Sequence, residues 1–416
     1  MLREASVEQE RGISSSLFHK RFESLLAGSG ITLDGSAPWD LRVRDERFFA
    51  RVLRGGSVGL GEAWVDGWWD CERLDELVHR ALRAGLHEKI PGSGALKALL
   101  IAALTNPGRR SKAFEVGERH YDIGNDLYER MLDRRMVYSC ALWHQGAASL
   151  DEAQEAKLDL ICRKVHLSPG MRVLDIGCGW GGLAVFAAER YGASVVGVTI
   201  SKEQVELARR RAAGLPVEIR LQDYRDLDER FDAVVSVGMF EHVGFRNYKV
   251  FMDVARRCLK PDGLFLLHTI GSTVTGAMGD PWLAKHIFPN SHIPSMRQIA
   301  AAAERRFVVE DWQNFGADYD STLMAWFARF SARWHEIAPR YGERFRRLWT
   351  YYLLTCAGGF RSRYNQLWQI VLSPRGKVGG YVPLRDGGLP HPAGPTPLGS
   401  LSSPAGRRIG DHGERS

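Results

Sequence analysis

The sequence lacks the features that mark a secreted, membrane-spanning or zinc-binding protein. Its six cysteines stand singly with no C-x-x-C pair, so neither a zinc site nor a disulfide framework is indicated. No signal-peptide run occurs in the first residues, MLREASVEQERG, and nowhere are about 18 apolar residues consecutive. We therefore expect a cytoplasmic protein in a reducing compartment, without a metal ion.

The chain also has no strong excess of one charge. Its 56 Lys and Arg residues against 49 Asp and Glu residues give a net charge of +7. This weakly basic balance is compatible with nucleic acid, an anionic membrane surface or neither. With 44% hydrophobic residues in 416, the chain is long and apolar enough for roughly two or three globular domains.

Regions of different pattern predict the domain organisation. Residues 1–112 mix short helical and turn signals, which favours a smaller, mainly helical domain. Residues 113–374 form the expected catalytic domain, because strands and amphipathic helices alternate over 171–273 as in a parallel α/β sheet. Residues 375–416 are rich in Pro, Gly and Ser and predict a disordered tail.

A glycine-rich turn follows the first strand of the predicted sheet, at residues 175–182 (DIGCGWGG). Glycines there let a ligand approach the backbone and the start of a helix. Gly177, Gly179 and Gly182 also satisfy G-x-G-x-x-G, but a dinucleotide site needs an acid at the end of the second strand, which reads VTIS at 198–201. The pattern instead resembles Rossmann-like methyltransferases that use S-adenosylmethionine (SAM).

Two polar side chains end neighbouring strands of the predicted sheet. Glu241 follows the strand 231–239, and His268 lies near the end of the strand 263–271. Because adjacent parallel strands present their carboxyl ends at one edge, the two side chains are expected to converge beside the cofactor. Glu241 also suits the cap of the helix that follows, as an additional role.

Several longer motifs resemble one family, the bacterial cyclopropane-fatty-acyl-phospholipid synthases. Their sequences are HYDIGNDLYERMLD (120–133), VYSCALWH (137–144), SVGMFEHVG (236–244), NFGADYDSTLMAWF (314–327) and TCAGGFR (355–361). The resemblance covers nearly all of residues 20–375. Its amino-terminal stretch is similar to the extra domain of the phospholipid-acting enzymes, which the mycolic acid cyclopropane synthases lack.

The resemblance implies a reaction and its partners. The methyl carbon of SAM is transferred to a cis double bond of a phospholipid acyl chain, and loss of a proton closes a cyclopropane ring. The alternative is methylation without ring closure, which leaves a branched or methylene-bearing chain. The implied partner is a bilayer surface with cis-unsaturated acyl chains, bound peripherally from the inner face, and not nucleic acid. A second copy of the chain, as a homodimer, is the remaining candidate partner.

The resemblance also implies residue roles. The base is a bicarbonate ion, in whose site Glu241 orients His268 and a bicarbonate proton. The residues that hold this ion are Cys140, Glu241, His268, Tyr319 and the main chain of Ile270. Tyr319 is alternatively an ordinary core tyrosine. Cys356 matches a cysteine described as catalytic in the family, although a packed helix cysteine is at least as good an interpretation.

The implied SAM site combines the glycine loop with neutral hydrogen-bonding groups in place of the usual acid. Residues 138–139 are implied near the sulfonium or carboxylate of SAM, and residues 174–182 form the glycine loop. Thr199 and Gln204 are implied near the ribose, and residues 222–224 near adenine. The implied residues are Tyr138, Ser139, Leu174, Asp175, Gly177, Gly179, Gly181, Gly182, Thr199, Gln204, Gln222, Asp223 and Tyr224.

A basic segment offers a route to the lipid. Between His79 and Lys112, seven Lys or Arg residues and one acid give a net charge of +6 around the short apolar run 95–104. Basic residues beside a short apolar helix suit adsorption to anionic phospholipid. A core helix with a solvated basic flank explains the same pattern.

Overall fold

The amino-terminal part of the molecule is mainly helical, as predicted. The computed structural model describes residues 18–89, 124–275 and 279–384, so the apolar run 95–104 lies outside the described residues. A helical segment over 18–26 comes first. The elements that follow are β1 (Arg42–Val43), α1 (Arg47–Val65), β2 (Trp69–Asp70), α2 (Leu74–Arg83) and α3 (Leu86–Lys89).

A seven-stranded sheet forms the centre of the catalytic domain, in the order β5-β4-β3-β6-β7-β9-β8. Strands β3 to β7 run parallel to one another, whereas β9 lies antiparallel between β7 and β8. The predicted Rossmann-like α/β class is thereby confirmed. The strands are β3 (Arg172–Ile176), β4 (Ser194–Thr199), β5 (Val217–Leu221), β6 (Phe231–Val237), β7 (Leu259–Ser272), β8 (Val308–Asn314) and β9 (Asn365–Ser373).

Helices cover this sheet and extend beyond it to the amino-terminal part. No helix in the described segments combines the length and apolar character needed to cross a bilayer. The helices are α4 (Asn125–Met131), α5 (Leu150–Lys164), α6 (Gly182–Tyr191), α7 (Lys202–Arg211), α8 (Tyr248–Arg257), α9 (Pro281–His286), α10 (Met296–Ala303), α11 (Gly316–Ala332) and α12 (Trp334–Arg361).

Local sequence signals explain where α5 and α6 begin and end. The Ser149 side chain accepts a hydrogen bond from the Glu152 N–H at 3.2 Å, and the Glu152 carboxylate accepts one from the Ala148 N–H at 2.9 Å. These bonds satisfy N–H groups that a helix start leaves open. Gly192 ends α6 with a left-handed φ of +62°, a conformation that glycine adopts without strain.

Strand β7 is longer than the predicted strand 263–271. Leu259 already pairs with Phe231 of β6, and the register then shifts before Leu264 pairs with Ala233. The preceding helix, α8, therefore ends at Arg257, just before β7 begins. The irregularity lies at the amino edge of the sheet, so it leaves the pairing near His268 undisturbed.

The first ten residues of the predicted tail lie against the catalytic domain. The Tyr381 hydroxyl donates a hydrogen bond to the Lys164 carbonyl at 3.0 Å, and its ring stacks on His166. The Lys377 N–H donates to the Glu310 carboxylate at 2.8 Å. These contacts place residues 375–384 with the sheet, and the rest of the predicted tail, 385–416, lies outside the described residues.

Helix α12 joins the amino-terminal part to the catalytic domain. Arg347 donates to the carbonyls of Trp64 and Trp69 and to the Asp70 carboxylate, at 2.6 to 2.9 Å. Arg361, at the end of the same helix, forms a 2.5 Å contact with the buried Asp75 carboxylate of α2.

Arg347 in the middle of α12 and Arg361 at its carboxyl end thus both hold amino-terminal elements. Between them, a Cβ atom at Gly358 would lie 2.4 Å from the Asp75 carbonyl oxygen, so glycine allows α12 and α2 to touch. Close packing of this kind, with buried charged pairs at its edges, makes the two parts one continuous structure.

Candidate active site

The loop between β3 and α6 lies at the carboxyl edge of the sheet. Gly177 has a left-handed φ of +85°. A Cβ atom at Gly177 would lie 2.6 Å from Met239 Cγ, and one at Gly182 would lie 2.5 Å from the Arg135 carbonyl oxygen. Glycine at these two positions therefore lets the loop pack directly against Met239 and Arg135.

A cleft opens beside this loop, with a volume of about 550 Å³ when its open mouth is included. Residues 136–139 and helix α5 form the facing wall. The predicted cofactor residues that line it are Tyr138, Ser139, Asp175, Gly177, Gly179, Gly182 and Gln204. The structure therefore brings these predicted residues together from three separate chain segments, 138–139, 175–182 and Gln204.

Other predicted cofactor residues support this cleft or stand apart from its lining. The Thr199 hydroxyl hydrogen-bonds the Gln204 side chain at 2.8 Å and so positions it. Leu174 is fully buried under the loop, and Gly181 caps α6. The Gln222 N–H donates to the Thr199 carbonyl at 3.0 Å, which ties the ends of β4 and β5.

The predicted adenine site has structural contacts of its own. The Asp223 carboxylate accepts hydrogen bonds from the Arg225 N–H and guanidinium at 2.6 to 3.0 Å. The Tyr224 ring is buried and packs edge-on against Phe251. These contacts hold the turn after β5 in place, and adenine binding there stays a prediction.

Sequence reasoning missed Lys157, a buried cation in the cleft wall. Its side chain is only 2% exposed, and Nζ donates a hydrogen bond to Ser139 Oγ at 2.8 Å. Burial lowers the pKa of Lys157 to about 8, and burial raises the pKa of Asp175, across the cleft, to about 7. A signal existed, because Lys157 falls on the same helical stripe as the apolar Ala153 and Leu160.

Glu241 and His268 lie on neighbouring strand ends, as the order of β6 and β7 requires. The Glu241 carboxylate accepts the Ile270 N–H at 2.6 Å, and the Gln369 side-chain nitrogen faces His268 Nδ1 at 3.3 Å. The expectation that Glu241 orients His268 does not match these bonds, because Gln369 of β9 holds the imidazole instead. The main chain of Ile270, predicted to hold the ion, already donates its N–H to Glu241.

Each of these two side chains keeps a buried atom without a partner in the described part of the chain. These atoms are Glu241 Oε2 and His268 Nε2. Burial raises the pKa of Glu241 to about 7 and lowers the pKa of His268 well below its usual value, so the imidazole is neutral. Since Gln369 donates to Nδ1, the ring proton sits on Nε2. The Nε2–H of His268 and the Oε2 atom of Glu241 are thus available to bind a small polar ion or molecule.

The remaining predicted catalytic side chains are Cys140, Tyr319 and Cys356, and the Thr322 hydroxyl donates to Cys140 Sγ at 4.0 Å. Cys140 donates to the Ala141 carbonyl at 3.2 Å, and burial raises the pKa of its thiol far above the usual value. Tyr319 packs against the Phe360 ring at 4.5 Å. Burial likewise raises the pKa of Cys356 far above its usual value, so a thiolate is absent at neutral pH. This favours the packed-cysteine interpretation of Cys356.

A pair of tyrosines connects the cleft to α12. The hydroxyl groups of Tyr138 and Tyr352 lie 2.6 Å apart in a hydrogen bond. Tyr352 and Cys356 are one turn apart on α12, so the wall of the cofactor cleft and the surroundings of Cys356 share one helix.

Comparisons with known proteins agree with this arrangement. Residues 108–370 match the family described as mycolic acid cyclopropane synthetase. The chain is 55% identical over 370 residues to the cyclopropane-fatty-acyl-phospholipid synthase of Escherichia coli (strain K12), covering 89% of this chain and 97% of the relative. It is 40% identical to the "Probable fatty acid methyltransferase" of Pseudomonas putida, covering 83% of this chain and 89% of that protein.

A solved structure is also similar to this chain. The mycolic acid cyclopropane synthase CmaA1, complexed with SAH and CTAB, aligns with a TM-score of 0.59 and 33% identity. The alignment covers 62% of this chain and 97% of that one. The glycine loop, the cleft beside it and these matches together show that the chain belongs to the mycolic acid cyclopropane synthetase family of SAM-dependent methyltransferases.

Proposed function

We propose that this protein is a cyclopropane-fatty-acyl-phospholipid synthase. The observation that carries the proposal is the 55% identity to the Escherichia coli relative over 97% of that protein's length, which includes the amino-terminal region. The mycolic acid enzyme CmaA1, by contrast, aligns with only 62% of this chain. The proposal therefore assigns a phospholipid acyl chain as the substrate.

The reaction places definite demands on the site. SAM supplies an electrophilic methyl carbon, the alkene electron pair forms the new C–C bond, and a proton must leave the new methyl group as the ring closes. A positioned base and a water-free site are the means by which a protein assists such a step. Glu241 and His268 are buried beside the cofactor cleft and meet the second demand.

A bicarbonate ion fits the unpartnered atoms described above. The His268 Nε2–H can donate to an anion oxygen, and Glu241, with a pKa raised by burial to about 7, can accept or share a proton. These two side chains would hold the ion, and the ion would supply the base. Cys140 is a neutral thiol in this proposal, and its S–H, which donates to the Ala141 carbonyl at 3.2 Å, would have to turn away from that carbonyl to donate to the ion.

Exposed apolar side chains near Glu241 support approach to a bilayer. We define the lipid rim as Phe245, Val274 and Met296, which are 38%, 62% and 52% exposed. The Phe245 ring contacts His292, whose N–H donates to the Glu241 carbonyl at 2.8 Å. Val274 and Met296 flank the hydrogen bond between Thr275 and Ser295.

Basic residues accompany the lipid rim. Arg246 and Arg297 are exposed and directly follow Phe245 and Met296 in sequence. Apolar side chains beside cations suit the surface of an anionic bilayer, to which each basic residue contributes about 1 kcal/mol. We infer peripheral binding at the inner face of the membrane through this rim, whose Phe245 follows Glu241 closely in the chain.

The deciding experiment measures the lipid product. The full chain is incubated with SAM and vesicles of cis-monounsaturated phospholipid, followed by mass spectrometry and proton NMR of the acyl chains. One added methylene per chain, with loss of the olefinic proton signals, is expected. Retained olefinic signals in the methylated product would instead identify a methyltransferase that does not close the ring.

A further inference from the structure

Helix α5 presents a buried ammonium group to the cofactor cleft. Lys157 lines the cleft with Ser139 and Asp175, and Ser139 Oγ is the acceptor that the described residues provide for it. An ammonium group has three N–H donors, so two of them have no protein acceptor in the described part of the chain. A buried cation is costly unless it is paired.

Nearby carboxylates do not complete the pairing. Asp133 and Asp175 act on Lys157 through space, but neither forms an ion pair with it. The Asp133 oxygens accept the N–H groups of Arg135 and Val137, both at 2.8 Å. The Lys157 charge therefore faces the cleft with spare donors.

The same helix contains a buried lysine that the protein does satisfy. Lys164 lies two turns further along α5, and its Nζ donates to Gln313 Oε1 at 2.7 Å and lies 3.7 Å from Asp311. It also sits over the ring of Phe315. The buried Lys164 ammonium is therefore paired with a hydrogen-bond acceptor, a carboxylate and an aromatic ring of the protein. The buried Lys157 ammonium has only the Ser139 hydroxyl among the described residues.

We propose that Lys157 binds the carboxylate of the methionyl group of SAM, with the Ser139 hydroxyl holding the ammonium in place. The methionyl end of SAM carries a carboxylate and an amino group, and the cleft offers a cation and an acid at Lys157 and Asp175 beside the glycine backbone. This inference rests on SAM dependence of the chain and not on ring closure.

The test compares two ligands that differ only in the carboxylate. Binding of S-adenosylhomocysteine (SAH) and of its decarboxylated analogue is measured by titration calorimetry on the full-length protein. A charge-assisted pair predicts that the unmodified protein binds SAH roughly 10- to 100-fold more tightly than the analogue. In Lys157→Met and Lys157→Gln this preference disappears, while affinity for the analogue stays within about twofold.

Lys164→Met is the matched control, because it removes a buried lysine from the same helix outside the cleft. It keeps the preference for SAH, even if it lowers the thermal stability of the protein. Equal weakening of both ligands in the Lys157 variants would mean a structural lysine and overturn the proposal. If the unmodified protein bound SAH and the decarboxylated analogue equally well, that result alone would overturn the proposal. Failure of the lipid reaction leaves SAH binding measurable, so the two proposals fail separately.

Discussion

The pairing of Arg361 with Asp75 and Asp320 makes a measurable prediction about how the two parts of the molecule are held together. The guanidinium of Arg361 donates to both oxygens of Asp320 at 2.9 and 3.0 Å and also contacts Asp75. The Asp75 side chain is only 1% exposed. The substitution Arg361→Met keeps the aliphatic stem and removes all of these bonds.

The expected loss follows from burial. Removing one partner of a buried ion pair costs about 3–5 kcal/mol. Asp75 retains Arg73 at 2.8 Å, and the Asp320 side chain is 20% exposed, so water and Arg73 recover part of the loss. We therefore expect the free energy of unfolding to fall by about 2–3 kcal/mol.

Urea unfolding followed by circular dichroism measures this change. The control is Arg346→Met, whose pair with Glu343 on the same helix is exposed and contributes about 0.5 kcal/mol or less. Equal, small losses in the two variants would refute the reasoning from burial. They would mean that the pairs at the end of α12 do not hold α2.

The difference in the free energy of unfolding between the unmodified protein and Arg361→Met should also depend on pH, in a direction that the pKa of Asp75 determines. Burial opposes ionisation of Asp75, but hydrogen bonds from Arg73 and Arg361 outweigh it and hold the pKa of Asp75 below its usual value. A lowered carboxyl pKa stabilises the folded state at neutral pH, and this stabilisation is lost as pH falls below about 4. The difference between the unmodified protein and Arg361→Met should therefore shrink on acidification.

Further predictions concern the site and the lipid rim. Glu241→Gln should lower the rate of ring formation roughly 100-fold or more, with the dissociation constant for SAH, measured by calorimetry, unchanged. Phe245→Asp should weaken sedimentation with anionic vesicles, whereas Val309→Asp, at an exposed apolar position on the opposite edge of the sheet, should not. Cys356→Ser should retain most of the lipid-modifying activity in the vesicle assay, since burial keeps the thiol protonated; complete loss would indicate a direct chemical role.

Short-range patterns explain which parts of the fold could be predicted. The cap at Ser149, the glycine loop and the stop at Gly192 each depend on residues within one turn of one another, and each occurs where the sequence indicates. The neighbouring positions of Glu241 and His268 follow from the parallel strand order. The boundary of β7 depends on pairing across the register shift, which no local pattern reports.

The partners of the catalytic side chains needed the folded structure. Gln369 reaches His268 from β9, which is about 100 residues later in the chain and runs antiparallel. Lys157 occupies an apolar stripe, and only the adjacent cleft and Ser139 reveal why a cation lies there. Contacts between distant segments, rather than local propensity, decide both arrangements.

Helix α12 has a consequence for exchanging parts between relatives. Its arginines hold the amino-terminal elements, while its Tyr352 contacts Tyr138 in the cofactor cleft. Trp349 and Leu353, on the same helix, are fully buried. In a chimaera that joins a foreign amino-terminal domain to this catalytic domain, α12 must therefore come from the same protein as α2. Both domains pack on this one helix, so they are not interchangeable modules.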